Sequence, residues 1–288
     1  MSDGIIIIDK PQGWTSMDVC AKLRGILSQR RIGHGGTLDP MATGVLPVFV
    51  GNATRAVEFA EKGDKEYIAG LRLGLTTNTQ DTTGEPLEER PVTAGPADLA
   101  AVLPQFTGPI LQVPPMYSAI KKNGQKLYQL ARKGIEVDRP PRPVTIHALE
   151  ILDQTGPADY LLRVRCSKGT YVRTLCHDIG GALGCGGAMS SLRRTMAAGF
   201  TIDQAVTMEE AQEKGPALLL PTDAFFSHLP AWTLPGERQE KLCRNGNPVP
   251  APELSEGIFR VYGRDGTFLC VSRWEGGVLT SLKNFFGN

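Results

Sequence analysis

Three phrases of this chain put chemically capable side chains on stiff stretches of backbone. In GHGGTLDP, Asp39 follows a glycine-rich turn and precedes a proline, so a short carboxylate stands on a loop with little freedom. In KEYIAG, Tyr67 sits at the start of an alternating run, and in KGTYVRTLCHDIG, Arg173 falls in the first turn of a helical stretch. Taken alone, an aspartate in such a place is most often a turn former or a helix cap. The same group can also act as a nucleophile or balance charge that develops during a reaction. Phosphoryl transfer through an aspartate is one reading of IIIID and GTLDP. That chemistry needs a second acid two positions on to hold Mg²⁺, and Pro11 and Met41 occupy those places. Cys166, Cys176, His177 and Cys185 lie near one another without the short ligand spacing of a zinc knuckle, so free, buried thiols are expected and no metal.

The elements that would position these residues follow from periodicity. Gly4 to Ile8 is a β-branched run stopped at Pro11, a buried strand. Ser16 reads as an N-cap, with Val19, Leu23, Ile26 and Leu27 at helical spacing after it. Arg30 to Gly44 holds four glycines and one proline in fifteen residues and is expected to be loop throughout. Val45 to Val50 is strand-like, Thr54 to Ala60 a short helix, and Glu66 to Leu75 alternates as a half-buried strand. A helix is predicted over Ala97 to Pro104. Gly108 to Ile120 carries Pro109, Pro114 and Pro115, so it is extended but not a central strand. Asn123-Gly124 signals a turn before a short helix over Lys126 to Lys133. Val144 to Leu152 and Tyr160 to Cys166 read as two strands around Thr155-Gly156-Pro157, and Thr170 to Leu183 as a helix. From about Pro230, turn signals between short apolar runs indicate a small all-β module.

The chain has 288 residues, 41% apolar and 21% charged, which is enough to bury a core and far from the disordered range. No run approaches the roughly 20 apolar residues of a membrane span and the start lacks a signal peptide, so no membrane partner and a cytoplasmic location are expected. A net charge of +1 argues against a protein that coats duplexes generally. Cations are nevertheless concentrated from Tyr117 to Pro143, where Lys121, Lys122, Lys126, Arg132, Lys133, Arg139 and Arg142 face only Glu136 and Asp138. A second basic stretch runs from Arg163 to Arg194. Each could be a solvated face. Interleaved with Tyr117, Tyr128 and Tyr171, the two together suit a polyanion that also offers bases to stack on.

GHGGTLDPMATGVLPV, together with Lys10-Pro11, DKEYIAG, Asp81-Thr82-Thr83-Gly84, PPMYSAIKKNGQKLY, GTYVRTL and SLRRT, closely resembles the TruB-type tRNA pseudouridine-55 synthases. The matches run in order from Asp9 to about Thr195, with a weaker likeness beyond. Gly35 stands where threonine is frequent in that family. Gly187-Ala188-Met189 stands where many members have Ala-His-Leu, a departure expected to alter RNA packing near Leu192.

The resemblance implies an α+β fold with a mixed, largely antiparallel sheet and flanking helices. A catalytic domain would span 1–229 and a small PUA-like RNA-binding β module 230–288. It implies isomerisation of uridine to pseudouridine in the T-loop of tRNA by base flipping, with neither cofactor nor metal. Asp39 is then the nucleophile, Tyr67 packs against the target base with its hydroxyl available to proton transfer, and Arg173 pairs with Asp39. His34 fills the space left in the RNA, while Lys10, Tyr171 and Leu192 line the base and ribose pocket. Residues 117–143 correspond to a thumb that clamps the T-arm, with Lys121 and Lys122 on phosphates. A monomer is the expected state. The alternative is a non-catalytic RNA-binding or tRNA-folding module, which would bind tRNA without turnover.

Overall fold

The β-branched run at the N-terminus forms strand β1 (Gly4–Lys10), which continues past Ile8 because Asp9 and Lys10 still pair with a neighbouring strand. In the computed structural model, which describes residues 3–122 and 124–287, helix α1 (Ser16–Ile26) follows. Its N-cap is Thr15 rather than Ser16. The Thr15 hydroxyl accepts from the Asp18 amide at 3.1 Å and the Asp18 carboxylate accepts from the Thr15 amide at 2.8 Å, a reciprocal cap worth about 1 kcal/mol. The glycine-rich stretch is not all loop: it contains a short strand, β2 (Ile32–His34), paired antiparallel with β3 (Thr43–Val50). A tight turn (Gly51–Ala56) and helix α2 (Val57–Lys62) lead to β4 (Lys65–Leu73).

A small hairpin of β5 (Leu75–Thr77) and β6 (Pro86–Glu89), helix α3 (Pro96–Val102) and strand β7 (Gly108–Gln112) come next. β7 takes an edge of the sheet, as its proline requires. The basic stretch folds as two very short strands, β8 (Lys121–Lys122) and β9 (Gln125–Lys126), followed by α4 (Leu127–Ala131). Gly124 supplies a left-handed turn residue there, with φ +81°; Asn123, the other half of the expected turn, lies outside the described residues. The long strands β10 (Arg142–Gly156) and β11 (Asp159–Cys166) pair antiparallel, and α5 (Val172–Ala182) leads to β12 (Gly187–Ala197).

No periodicity announces β12, yet it is central. The main sheet runs β1-β3-β12-β4-β11-β10-β7, with β12 parallel to β3 and antiparallel to β4. The expected mixed, largely antiparallel sheet is therefore present, and β12 joins its two halves. Helix α5 sits directly on β12: a Cβ at Gly180 would lie 2.2 Å from the Gly187 nitrogen, so only glycine permits this approach. Ala188 and Met189 are fully buried within β12. They lie within the core, so the effect expected of this departure on RNA packing near Leu192 would be indirect. Leu71, Tyr160, Leu162, Val164, Leu175 and Ile179 fill one face, each such apolar burial contributing roughly 1.5–3 kcal/mol.

A second sheet of five strands lies between Ala231 and Asn284, around a core that includes Leu234, Val261, Leu269 and Leu279. It is not all-β, since the amphipathic helix Glu237–Arg244 packs on it through Cys243. Phe49, Phe225, Phe226, Phe268 and Phe285 interlock between the two sheets in edge-on, tilted and stacked pairs. All six cysteines are free and buried. Among the described residues no helix is long and apolar enough to cross a membrane.

Candidate active site

Asp39 lies between β2 and β3 on backbone fastened from several directions. The Ser16 hydroxyl accepts from the Leu38 amide at 2.9 Å and donates to the Leu38 carbonyl at 3.3 Å. The Ala42 amide donates to the Asp39 carbonyl at 3.0 Å, and the Gly13 amide to that of Pro40 at 2.8 Å. Lys10 is fully buried, and its ammonium donates to the carbonyls of Pro11 at 2.9 Å, Trp14 at 2.6 Å and Pro40 at 3.5 Å. It braces the loop from within instead of lining open space. Burial brings its pKa down to about 8, partly opposed by the Asp39 carboxylate.

Arg173 enters from the first turn of α5. Its Nε lies 3.0 Å from Asp39 Oδ2 and 3.8 Å from Asp81 Oδ2, while Nη1 donates to the Thr79 carbonyl at 2.9 Å and Nη2 to the Tyr117 carbonyl at 2.8 Å. The Arg173 side chain is 7% exposed against 39% for Asp39. A guanidinium whose fork is spent on fixed acceptors cannot swing, so the carboxylate is held in one orientation with its other side open. Asp81 is itself held, accepting from the Thr79 hydroxyl at 2.9 Å, the Thr83 hydroxyl at 2.6 Å and the Thr83 amide at 3.0 Å. The phrase Asp81-Thr82-Thr83-Gly84 was a visible signal for this second acid, though its pattern alone assigns no role.

Tyr67 is buried on β4, opposite Val164 of β11 and Arg194 of β12. Burial raises its pKa, with the nearby Arg194 charge in partial opposition, so it stays a phenol at neutral pH. Leu192 packs with Leu38, Ala42 and Tyr67 in one cluster. Tyr171 caps α5. Its amide donates to Gln112 Oε1 at 2.8 Å and its carbonyl accepts from Gln112 Nε2 at 3.0 Å, a clamp that no sequence pattern foretells. His34 ends β2 with a buried Nδ1 that has no partner among the described residues, and burial lowers its pKa, so it is uncharged at neutral pH. Arg194, part of SLRRT, is fully buried beside Tyr67. Lys121 and Lys122 stand apart on β8. Lys121 is exposed, and the Lys122 ammonium donates to the Asp138 carbonyl at 2.6 Å. The link from their segment to the centre is the Tyr117 carbonyl on Arg173.

The whole fold is shared with pseudouridine synthases. It superimposes on a chain in the crystal structure of a Cbf5-Nop10-Gar1 complex with TM-score 0.74 and 27% identity, covering 98% of this chain and 85% of that one. A chain in a structure of an H/ACA RNP bound to a substrate RNA containing 2′-deoxyuridine gives TM-score 0.72 and 25% identity, covering 99% and 85%. The profile of the TruB family pseudouridylate synthase (N terminal domain) matches residues 24–172, and that of the tRNA pseudouridylate synthase B C-terminal domain matches 173–225. The tRNA pseudouridine synthase B of Pseudomonas fluorescens is 47% identical over 275 residues, 92% of this chain and 90% of that protein. That of Thiobacillus denitrificans is 43% identical over 285 residues, covering 98% and 95%. The chain belongs to the TruB family of pseudouridylate synthases.

Proposed function

We propose that this protein converts uridine to pseudouridine at position 55 in the T-loop of tRNA, with Asp39 as the nucleophile and no cofactor. The observation that carries the reading is the Arg173–Asp39 pair, in which a carboxylate with one open side stands 3.0 Å from a buried guanidinium engaged at all three nitrogens. The reaction breaks N1–C1′, turns the uracil and forms C5–C1′; the C5 proton leaves and N1 gains one. Atoms and electrons balance without oxidant, water or metal. Asp39 attacks C1′ or C6, or balances charge while C2′ loses its proton, and each route uses an ionised carboxylate fixed in direction.

The target nucleotide must leave its stack at a cost of a few kcal/mol. Uncharged His34 suits the space it vacates, and Tyr67, Tyr171 and Leu192 suit the extruded base and ribose. Residues 117–143 clamp the T-arm through phosphates. The domain over 1–229 carries the chemistry, the module over 230–288 adds RNA-binding surface, and the protein acts as a cytoplasmic monomer.

Incubation with unmodified tRNA, followed by mapping of pseudouridine, tests the reading. The expected result is modification at position 55 by the parent protein and none by Asp39→Asn. Tight tRNA binding by the parent without pseudouridine would make this a binding or tRNA-folding module instead.

A further inference from the structure

Arg194 is the largest fully buried side chain among the described residues. It lies on β12 between Tyr67 of β4 and Gly44 of β3. Among those residues no carboxylate stands within ion-pair distance of it, its hydrogen-bond partners are backbone carbonyls, and its register partner on β4 is Tyr67. A buried cation without an acid is costly, and an apolar side chain of similar volume is often at least as stable in such a place. Stability alone therefore gives a weak account of why arginine is here.

Its partners give a better one. Nε donates to the Val45 carbonyl at 2.7 Å, Nη2 to that of Gly36 at 3.1 Å, and Nη1 reaches that of Thr37 at 3.5 Å. Gly36 and Thr37 precede Asp39, and Val45 follows it. One planar group thus spans both ends of the loop that carries the carboxylate, from a residue directly opposite Tyr67 in the sheet. The backbone is shaped for this approach: Gly44 has φ +101°, and a Cβ there would stand 2.2 Å from the Arg194 carbonyl oxygen. Lysine, a single point donor, cannot span the same acceptors.

We propose that Arg194 is the positioning residue of the active site, locking the Asp39 loop to the Tyr67 strand and donating to the Tyr67 oxygen so that the phenol proton is left to face the target base. The role of Tyr67 is then that of a hydrogen-bond donor. This rests on the isomerase reading above.

The test measures single-turnover pseudouridine formation at saturating tRNA, tRNA affinity and thermal unfolding for Arg194→Lys and Arg194→Met, each with and without Tyr67→Phe. Arg194→Lys should fold, bind tRNA as the parent does, and lose about a hundredfold in rate, the scale of a misplacement of about an ångström. Arg194→Met should lose more, with lysine giving partial rescue. In the Tyr67→Phe background the loss on Arg194→Lys should shrink, because the two residues share one interaction. A full rate in Arg194→Lys, a loss confined to affinity, or equal losses in both backgrounds overturns the proposal. Loss of the native fold in both Arg194 variants makes the residue a structural strut and overturns it as well. A parent protein that forms no pseudouridine sinks the isomerase reading itself, and this proposal with it.

Discussion

The Asp39 centre and the segment 117–143, the proposed thumb, are built in opposite ways. At the centre, Lys10, Arg173 and Arg194 are all buried and each ends on two or more fixed acceptors. In the thumb only Ser118 and Leu127 are buried among the described residues, strands β8 and β9 are two residues long, and Lys126 and Arg132 rest over the Tyr128 ring at 5.6 and 5.4 Å. On the proposed function, the difference follows from what each region would recognise. Charge developing on one reacting carbon rewards groups that are already in place, whereas a phosphate backbone is met by exposed cations that can adjust and release counterions.

The sharpest way to break this contrast is Asp39→Asn, which keeps shape and loses charge and nucleophilicity. Single-turnover rate should fall by about 10⁴ or more with tRNA binding largely intact; turnover within about tenfold of the parent would end the assignment. Next in size is Asp81→Asn, which removes the second acid beside Arg173. A loss of about a hundredfold in rate at unchanged affinity is expected from a loosened guanidinium, and an unchanged rate would mean that the Thr79 and Tyr117 carbonyls fix Arg173 without it.

The thumb should respond in the other currency. Lys121→Ala with Lys122→Ala should weaken tRNA binding at low salt and flatten the log-log salt dependence by about one to two units, leaving chemistry at saturating tRNA nearly unchanged. An unaltered slope would reduce 117–143 to a solvated face.

The smallest effect concerns pH. Lys10 has its pKa lowered by burial to about 8, whereas in the unfolded chain it titrates near 10.4. Between those values the unfolded state binds more protons, so stability rises with pH across that window. The cation near Asp39 is lost over the same range, so the rate should decline through about pH 8 while the fold gains stability. Lys10→Met should flatten both trends; parallel trends in parent and variant would detach Lys10 from the site's charge balance.

Much of this architecture was legible in the residues. The β1 run, the helical spacing of α1, the alternation of β4 and the β10–β11 pair each follow a single local period, and the structure has them within a few residues. Asp39 and Arg173 were legible through their phrases, and they meet. β12 was not, because Ser190, Ser191, Arg193 and Arg194 break any apolar alternation in that stretch. Their partners lie far off in the chain: Arg193 pairs with Asp9 at 2.8 Å, and Arg194 with the Gly36 and Val45 carbonyls. The burial of Lys10 was hidden for a related reason. A lysine ending a strand before a proline has every local mark of exposure, and only the return of the Trp14 and Pro40 carbonyls around it explains its burial. What stayed hidden was long-range polar satisfaction, which has no period to detect.

The position of β12 also dictates when a newly made chain can become competent. The pair β1–β3, which brings the Asp39 loop, emerges early from the ribosome, and the β4-β11-β10-β7 group that carries Tyr67 and leads into Arg173 forms its own set of pairings. Among the described residues nothing joins the two in the sheet until residues 187–197 come between β3 and β4. Closing so distant a contact is the slow kind of folding event. Nascent fragments that stop short of Gly187 therefore hold every residue of the Asp39–Tyr67–Arg173 trio without the strand that unites them, and they should be inert toward any RNA they meet.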